Sequence, residues 1–340
     1  MKKTLLSLFV LAVLGVGAAW WAGQQVGRAY RGFSGGEVFV EVPQGSGVAS
    51  IGERLAAAGV VSHPLVFRVA ARMSGVERSL QAGEYRFAEP ATPAEVIARL
   101  ARGDVYTRAV TFREGLTIWD MAEVFAAGGL GTAEDFLREA RDPSRIQAID
   151  PDARSLEGYL FPDTYQLPRS AGAKGTVDAM VAGFLRAFDA DLRAAATARG
   201  MSAREVVTIA SLVEKETAAA HERAIVSAVY QNRLRIGMGL QCDPTVIYAL
   251  RLANRWNGNL TRENLRIDSP YNTYRYAGLP PGPIASPGRA SIDAAIRPSS
   301  DQYLYFVSRN DGTHVFATTL AEHNRNVQEW QVRFFKNRPR

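Results

Sequence analysis

The residues best suited to chemistry lie on one apolar segment in the second half of the chain. Ile209-Ala-Ser-Leu-Val-Glu-Lys-Glu-Thr217 has helical apolar spacing and places the carboxylate of Glu214 at the edge of an apolar face. Apolar neighbours disfavour the ionised form of a carboxyl group, so Glu214 is a candidate general acid. Glu216 points to roughly the opposite side of the helix and is expected to be a solvated or salt-bridged surface residue. An exposed helix face remains the alternative for Glu214 itself.

Several neighbouring segments are rich in ring and turn residues, which is typical of loops that form a cleft. Residues 240–248, 271–274 and 278–288 are interpreted as its walls. A fourth segment, 155–165, carries aromatic residues together with Glu157 and Asp163. Aromatic faces with carboxyl groups among them suit a carbohydrate, whereas the alternative is a core loop that uses its rings as filler.

Composition excludes several classes of function. The chain has 340 residues, 47% hydrophobic and 22% charged, which are globular values for about two domains. The net charge of +6 is scattered rather than blocked, which argues against nucleic acid and favours attraction to an anionic envelope. A single cysteine, Cys242, allows no internal disulfide. The four histidines have no metal-binding spacing, so neither a metal nor a cofactor is expected.

The N-terminus predicts a membrane anchor. Lys2 and Lys3 precede an uncharged run over residues 4–22, which is about long enough to span a bilayer as a helix. Trp20 and Trp21 close the run where an aromatic belt would lie. The prediction is a single-pass anchor over residues 1–23 in the inner (cytoplasmic) membrane, with the rest of the chain in the periplasm or otherwise outside the membrane. A cleaved signal peptide is the alternative.

The remaining chain is predicted to be α+β in two parts after a tether over residues 24–37. Residues 38–106 have the order strand, helix, helix, strand, helix, which resembles a LysM domain; a structural spacer is the alternative. Thr92-Pro-Ala-Glu95 predicts a capped helix start in this part. Residues 107–340 are predicted to form a larger mixed domain, with a long amphipathic helix over 177–197 and a more apolar one over 203–220.

Seven ordered segments match the motifs of one family. They are Leu156-Glu-Gly-Tyr-Leu-Phe-Pro-Asp-Thr-Tyr165, Ile209-Ala-Ser-Leu-Val-Glu-Lys-Glu-Thr217, Tyr230-Gln-Asn-Arg-Leu-Arg-Ile-Gly-Met238, Leu240-Gln-Cys-Asp-Pro-Thr-Val-Ile-Tyr248, Tyr271-Asn-Thr-Tyr274, Gly278-Leu-Pro-Pro-Gly282 and Tyr303-Leu-Tyr-Phe-Val307. With them the chain resembles the MltG (YceG-like) endolytic murein transglycosylases from the anchor to nearly the C-terminus.

The resemblance implies an inner-membrane protein with a LysM-like subdomain and a catalytic domain that cleaves nascent peptidoglycan strands internally. Such an enzyme is a lyase that ends glycan chain elongation, and peptidoglycan synthases are its expected partners. The family's catalytic glutamate falls on Glu214. Cys242 departs from the motif, where a threonine or a similar polar residue is usual, so a side-chain role at that position stays open.

Supporting roles follow from the resemblance together with residue character. The candidate substrate-binding residues are Gln241, Asp243, Thr245, Asn272, Thr273, Tyr305, His314 and Glu157. Asp243, which precedes Pro244, is an equally good helix cap. His221 lies two turns beyond Glu214, but a lone histidine is more often structural.

The number of carboxylates bears on the mechanism. Hydrolysis of a glycoside by the common routes uses two carboxylates, whereas a lytic transglycosylase needs one, which acts first as acid and then as base. The lack of a second glutamate on the face of Glu214 favours the lytic route and a 1,6-anhydromuramic product. A two-carboxylate muramidase, with Glu157, Asp163 or Asp243 as the second acid, and a non-catalytic peptidoglycan-binding protein are the alternatives.

Overall fold

A computed structural model describes residues 13, 16, 17 and 20–336 of the chain. Its contacts divide the chain into two compact units. The first contains the residues up to Ala109 together with Gln166–Ala171, and the second contains Val110–Tyr165 together with the residues from Gly172 onward. The division passes through two strands that pair with each other, β3 (Thr107–Thr111) and β4 (Thr164–Pro168).

The first unit has the element order expected from the sequence. Strands β1 and β2 pair antiparallel in a register that sets Val38 opposite Phe87 and Val42 opposite Gly83. Alternate strand residues face a core that the helices cover, as their spacing requires. Its elements are β1 (Val38–Val42), α1 (Val48–Ala57), α2 (Pro64–Ser74), β2 (Gly83–Phe87) and α3 (Pro93–Arg102).

Local sequence signals explain where these helices begin. Thr92 accepts a hydrogen bond from the N–H of Glu95, and the Glu95 carboxylate accepts one from the N–H of Thr92, which confirms the capping box. Part of the predicted tether is ordered on this unit, since Tyr30 forms a β-bridge with Ala91. The LysM-like assignment and the predicted domain limits stay predictions.

The second unit is mostly helical. Its elements are α4 (Ile118–Ala127), α5 (Ala133–Ala140), α6 (Gly172–Ala187), α7 (Ala190–Ala198), α8 (Ala203–Glu216), α9 (Arg223–Arg235), α10 (Asp243–Leu252), α11 (Arg289–Ile296), β5 (Tyr305–Ser308), β6 (His314–Ala317) and α12 (Leu320–Val327), followed by a π-helical turn (Gln328–Arg333) and α13 (Phe334–Lys336). Strands β5 and β6 pair antiparallel across a turn in which Asn310 and Gly312 both have positive φ. Helices with small two-stranded sheets confirm the α+β class.

Two helix predictions were wrong in extent. The helix predicted over 177–197 is two helices, because the Asp189 carboxylate accepts a hydrogen bond from the N–H of Leu192 and caps a new helix, α7. The helix predicted over 203–220 ends at Glu216, since Thr217 has extended backbone angles.

The described part of the chain contains no helix that is long and apolar enough to cross a membrane. The predicted anchor over residues 1–23 lies mostly outside the described residues and stays a prediction.

Candidate active site

Helix α8 carries Glu214 to the surface of the second unit. Ser202 and Glu205 form a capping box that starts the helix, and the eight consecutive residues 206–213 are buried. Glu214 is the first residue after this run that is partly exposed. The helix thus places Glu214 directly after its buried run, where the residue is partly exposed.

The glycine- and proline-rich loop that was predicted to be a cleft wall lies along α8. The N–H of Ile284 donates to the buried hydroxyl of Ser211 over 3.1 Å, one turn before Glu214. The N–H of Gly288 then donates to Oε2 of Glu214 over 3.0 Å. This loop therefore contacts the candidate acid directly and orients its carboxylate.

A second carboxylate, Glu114, lies at the same place. It follows β3, and its loop is joined to the 284–288 loop by two backbone hydrogen bonds, from Gly115 N–H to the Ser286 carbonyl and from Ser286 N–H to the Leu116 carbonyl, each 2.8 Å. The carboxyl group of Glu114 occupies the space that a Cβ on Gly288 would need. Glu114 and Glu214 thus contact one glycine.

The electrostatics of Glu114 reflect this position. Partial burial raises the pKa of Glu114, and the nearby charge of Glu214 raises it further, whereas Arg223 opposes the shift. Sequence reasoning missed Glu114 as a site residue. The one sequence feature that pointed to Glu114 was its place in a Glu-Gly turn directly after a strand. Such turns occur in many loops, so this feature alone is weak evidence for a site residue.

Glu216 does not behave as the sequence suggested. It is partly buried rather than solvated, and its Oε1 accepts a hydrogen bond from Sγ of Cys242 over 3.3 Å. Burial raises the pKa of Glu216, and the neighbouring charge of Asp243 acts in the same direction. The expectation of a surface salt bridge was wrong because α10 covers this side of α8.

Cys242 and its neighbours form a hydrogen-bonded turn. The N–H of Cys242 donates to the hydroxyl of Thr273 over 3.0 Å, and that hydroxyl lies 2.9 Å from the hydroxyl of Thr245. Thr245 and Thr273 are buried. A sugar contact by either threonine stays a prediction, since in the structure their hydroxyls bond to protein atoms.

Two predicted binding residues of this turn do reach the surface. Gln241 is exposed and has φ of +50°, in the left-handed region that a glutamine rarely adopts. Asp243 is exposed and accepts a hydrogen bond from the hydroxyl of Tyr274 over 2.7 Å. Asp243 is the first residue of α10 rather than its cap, which is Cys242.

The buried amide of Asn272 has a structural set of partners. Its Nδ2 donates to the carbonyls of Leu265 and Ile267, at 3.0 and 2.8 Å, and its Oδ1 accepts from the N–H of Tyr274. These bonds shape the 271–274 turn, and a contact with an N-acetyl group by Asn272 stays a prediction.

Glu157 is buried far from solvent. Both of its carboxyl oxygens lie 3.3 Å from the N–H of Ile118 at the start of α4, and Tyr248 hydrogen-bonds to it as well. Burial raises the pKa of Glu157 to about 8, so it is mainly protonated at neutral pH. A substrate contact by Glu157 stays a prediction.

The aromatic segment 155–165 belongs mainly to the core, as the filler alternative proposed. Tyr159 and Tyr165 are buried, Tyr159 contacts Phe184 edge to face, and its hydroxyl donates to Asp150 over 2.6 Å. Asp163 is exposed at the end of this segment.

His314 and Tyr305 lie on the C-terminal strands. Both the N–H and Nδ1 of His314 contact the buried carboxylate of Glu222, at 2.9 and 2.7 Å. Tyr305 stacks on His323, and the guanidinium of Arg233 lies 5.3 Å from the centre of its ring. Asp243 and His314 are electrostatic neighbours of Glu216, so the structure brings them to one end of α8.

No three His, Cys, Asp or Glu side chains within the described residues lie close enough together to hold a metal ion. The chemistry that this arrangement can perform is proton transfer by the carboxyl groups of Glu114 and Glu214 at Gly288.

Comparison with known proteins gives one family. The YceG-like family matches residues 40–329. An endolytic murein transglycosylase of Bacillus subtilis (strain 168) is 29% identical in a match of 334 residues that covers 93% of this chain and 91% of the relative. An enzyme of the same name from Streptococcus pneumoniae serotype 2 (strain D39) is 32% identical over 327 residues, and this chain spans 58% of its length.

A solved structure supports the same assignment. The crystal structure of a yceG-like protein of Listeria monocytogenes is 31% identical and superposes with a TM-score of 0.59, covering 86% of this chain and all of that one. Since the family match extends over most of the sequence and over both units, the chain belongs to the YceG-like family.

Proposed function

We propose that the protein is an endolytic lytic transglycosylase that cleaves the β-1,4 bond between N-acetylmuramic acid and N-acetylglucosamine in peptidoglycan. The observation that carries the proposal is the position of Glu214. This residue directly follows the buried run of α8, and its carboxylate accepts a hydrogen bond from the N–H of Gly288. Similarity to enzymes named endolytic murein transglycosylases, along 93% of the chain in one case, identifies the substrate class.

One carboxyl group is sufficient for this reaction. Glu214 gives its proton to the glycosidic oxygen as the bond from that oxygen to C1 of the muramic sugar breaks. The resulting carboxylate takes the proton of the C6 hydroxyl of the same sugar, and the C6 oxygen bonds to C1. The products are a new free end and a 1,6-anhydromuramic end, no water is consumed, and Glu214 regains its proton. The nucleophile belongs to the substrate, so its effective concentration is high.

The surrounding residues prepare this site in two ways. The backbone N–H of Gly288 orients the Glu214 carboxylate. Lys215 donates to the Gly115 carbonyl over 3.1 Å and so ties α8 to the 114–117 loop. We assign sugar contacts to the exposed Gln241 and Asp243, whose loop is held by Thr245 and Thr273.

The cellular role that we propose follows from the sequence. An anchor over residues 1–23 would hold the enzyme in the inner membrane, where nascent glycan strands emerge. Internal cleavage there would end strand elongation, and peptidoglycan synthases are the expected partners.

One observation favours a second candidate, a two-carboxylate muramidase. Helix α8 has no second glutamate on the face of Glu214, but Glu114, on the loop after β3, is a carboxyl group close to it. In that reaction water would attack C1, with the second carboxylate as its base or as a nucleophile, and the product would be an ordinary reducing end.

Product analysis separates these candidates. The full-length protein, the Glu214→Gln variant and a control Glu123→Gln variant, which changes an exposed glutamate of α4, are incubated with uncrosslinked glycan strands. Mass spectrometry of wild-type and control digests should show internal fragments with anhydromuramic ends, each one water lighter than a hydrolysis product. Glu214→Gln should melt at the wild-type temperature and release no fragments. Reducing ends would support the muramidase, and strand binding without cleavage by the wild type would contradict both enzymes.

A further inference from the structure

We infer that Glu114 is a positioning residue of this active site, which acts through Glu214 by sharing one proton with it. The inference rests on the proposed function, since it assumes that Glu214 must be protonated before the glycosidic bond breaks. In this role Glu114 helps the carboxyl pair to retain a proton before the bond breaks. It also favours the uptake of a proton from the substrate afterwards.

The backbone holds Glu114 in place. Its loop leaves β3 and turns at Gly115, which has φ of +74°. The reciprocal hydrogen bonds with Ser286 and the bond from Lys215 to the Gly115 carbonyl fix this turn against both α8 and the 284–288 loop. A carboxylate on so constrained a turn cannot move away from Glu214 without a side-chain rotation.

Gly288 brings the two carboxyl groups together. Its N–H donates to Glu214, and a Cβ built on its Cα would lie 3.0 Å from Cγ of Glu114 and would overlap the carboxyl group itself. The backbone angles of Gly288, φ −75° and ψ 167°, are open to any residue. Glycine is therefore required here for space, and the space is filled by the Glu114 carboxyl group.

The charged groups around the pair come from each element packed on it. Helix α8 contributes Glu214 and Lys215, whose ammonium group is bonded to the Gly115 carbonyl. Helix α9 begins with Arg223, whose electrostatic effect on Glu114 is opposite to that of Glu214 and whose buried Nε has no hydrogen-bond partner among the described residues. In α11, Arg289 is directed to Asp189 and the Ala187 carbonyl.

These charges determine how the pair titrates. Two carboxylates in contact with one glycine repel when both are ionised, so one proton is retained by the pair to higher pH than by a lone carboxyl group. Arg223 opposes the rise in the pKa of Glu114 that burial and the charge of Glu214 produce. When Glu214 gives that proton to the glycosidic oxygen, both groups become charged, and their repulsion favours the uptake of the C6 hydroxyl proton by Glu214.

The test is the pH dependence of turnover for the full-length protein. Variants Glu114→Gln, Glu114→Asp and the control Glu123→Gln are compared with the wild type by the rate at which anhydromuramic ends form, at saturating and at limiting glycan. A general acid is active below its pKa, so the alkaline limb of the profile reports the pKa of the acid.

Glu114→Gln removes the negative neighbour, so the alkaline limb should move about one unit to lower pH. At pH 8, well above the limb, kcat should fall about tenfold, because a one-unit shift lowers the protonated fraction of the acid at most tenfold. KM should be unchanged, and most of the loss in kcat should disappear near pH 5. Glu114→Asp, which keeps the charge, should keep the limb within about half a unit of wild type.

Equal losses at every pH, with an unmoved limb, would refute the inference and leave Glu114 a structural residue. If Glu114→Gln melts at a much lower temperature, Glu114→Asp decides instead. This variant keeps the negative charge, so turnover near the wild-type rate at pH 8 supports the inference, whereas an equal loss at every pH refutes it. The wild-type products test the proposed function separately. If the wild type forms anhydromuramic ends but the alkaline limb of Glu114→Gln does not move, only the inference about Glu114 is contradicted.

Discussion

Replacement of Gly288 by alanine should reduce turnover while the fold stays intact. The backbone angles at Gly288 suit alanine, so the substitution brings no backbone strain. The obstacle is the carboxyl group of Glu114, which the new methyl group would overlap. That group is the end of a flexible side chain, and its displacement should cost less than about 1 kcal/mol of unfolding free energy.

The catalytic cost should be larger than the cost in stability. The Glu114 carboxyl group must withdraw by roughly 1 Å or more to reach an ordinary contact distance, and displacements of this size at an active site cost up to about 100-fold. Glu114 acts on the reaction only through Glu214, so the expected loss is about tenfold at pH 8, the same as for Glu114→Gln. The N–H of residue 288 persists in the variant and should still orient Glu214.

The assay combines the rate of anhydromuramic-end formation with the melting temperature. Gly282→Ala is a matched control in the same loop, because its Cβ would meet only the Tyr271 hydroxyl at an ordinary 3.6 Å. The double variant Glu114→Gln with Gly288→Ala should be no slower than Glu114→Gln alone, since both changes remove one interaction. A wild-type rate for Gly288→Ala, or losses that multiply in the double variant, would refute the reasoning.

Three further predictions concern groups outside the carboxyl pair. Glu157 has a pKa of 4.5 when exposed and about 8 in the fold, so its contribution to stability should be complete below pH 4.5 and should be lost as the pH rises through 8. In chemical denaturation from pH 5 to 9, the wild-type unfolding free energy should therefore fall with pH, and Glu157→Gln should abolish this fall. His314→Ala removes the imidazole partner of the buried Glu222 carboxylate and leaves it only the backbone N–H of residue 314, so the variant should cost about 2–4 kcal/mol in urea unfolding. The exposed His221→Ala should cost less than about 0.5 kcal/mol, and equal costs would show that the imidazole contact is not stabilising. Gln241→Gly should raise the melting temperature, because glycine relieves about 0.5–1 kcal/mol of left-handed backbone strain. The same variant should lower turnover, and unchanged turnover would show that Gln241 does not contact the substrate.

Local signals were sufficient for most of the fold. Helix α4 spans Ile118–Ala127 because Thr117 and Asp120 form a capping box and Gly128 follows the helix, and all of these are signals that can be read locally. The error at 177–197 shows the limit of periodicity. A second helix continues almost in phase after Asp189, so only the cap marks the break.

The candidate site was predictable only where one helix determines it. The eight buried residues before Glu214 follow from the apolar pattern of α8, and so does the opposite direction of Glu216. The surroundings of both glutamates depend on segments distant in sequence. Cys242, the residue before α10, contacts Glu216, and Glu114 contacts Gly288 across more than 170 residues. No sequence period relates such positions, because loop packing brings them together.

The Gly288 loop shows why small residues are needed near this acid. Its backbone must approach α8 closely enough for Ile284 to reach Ser211 and for Gly288 to reach Glu214 one turn later. The same backbone is bonded to the Glu114 loop through Ser286. The distance between the two carboxyl groups is therefore set by main-chain hydrogen bonds between two loops and by the missing Cβ of one glycine. Enlarged residues at Gly288 should lower turnover before they change the fold, because the flexible carboxyl group of Glu114 is displaced more easily than the hydrogen-bonded backbone.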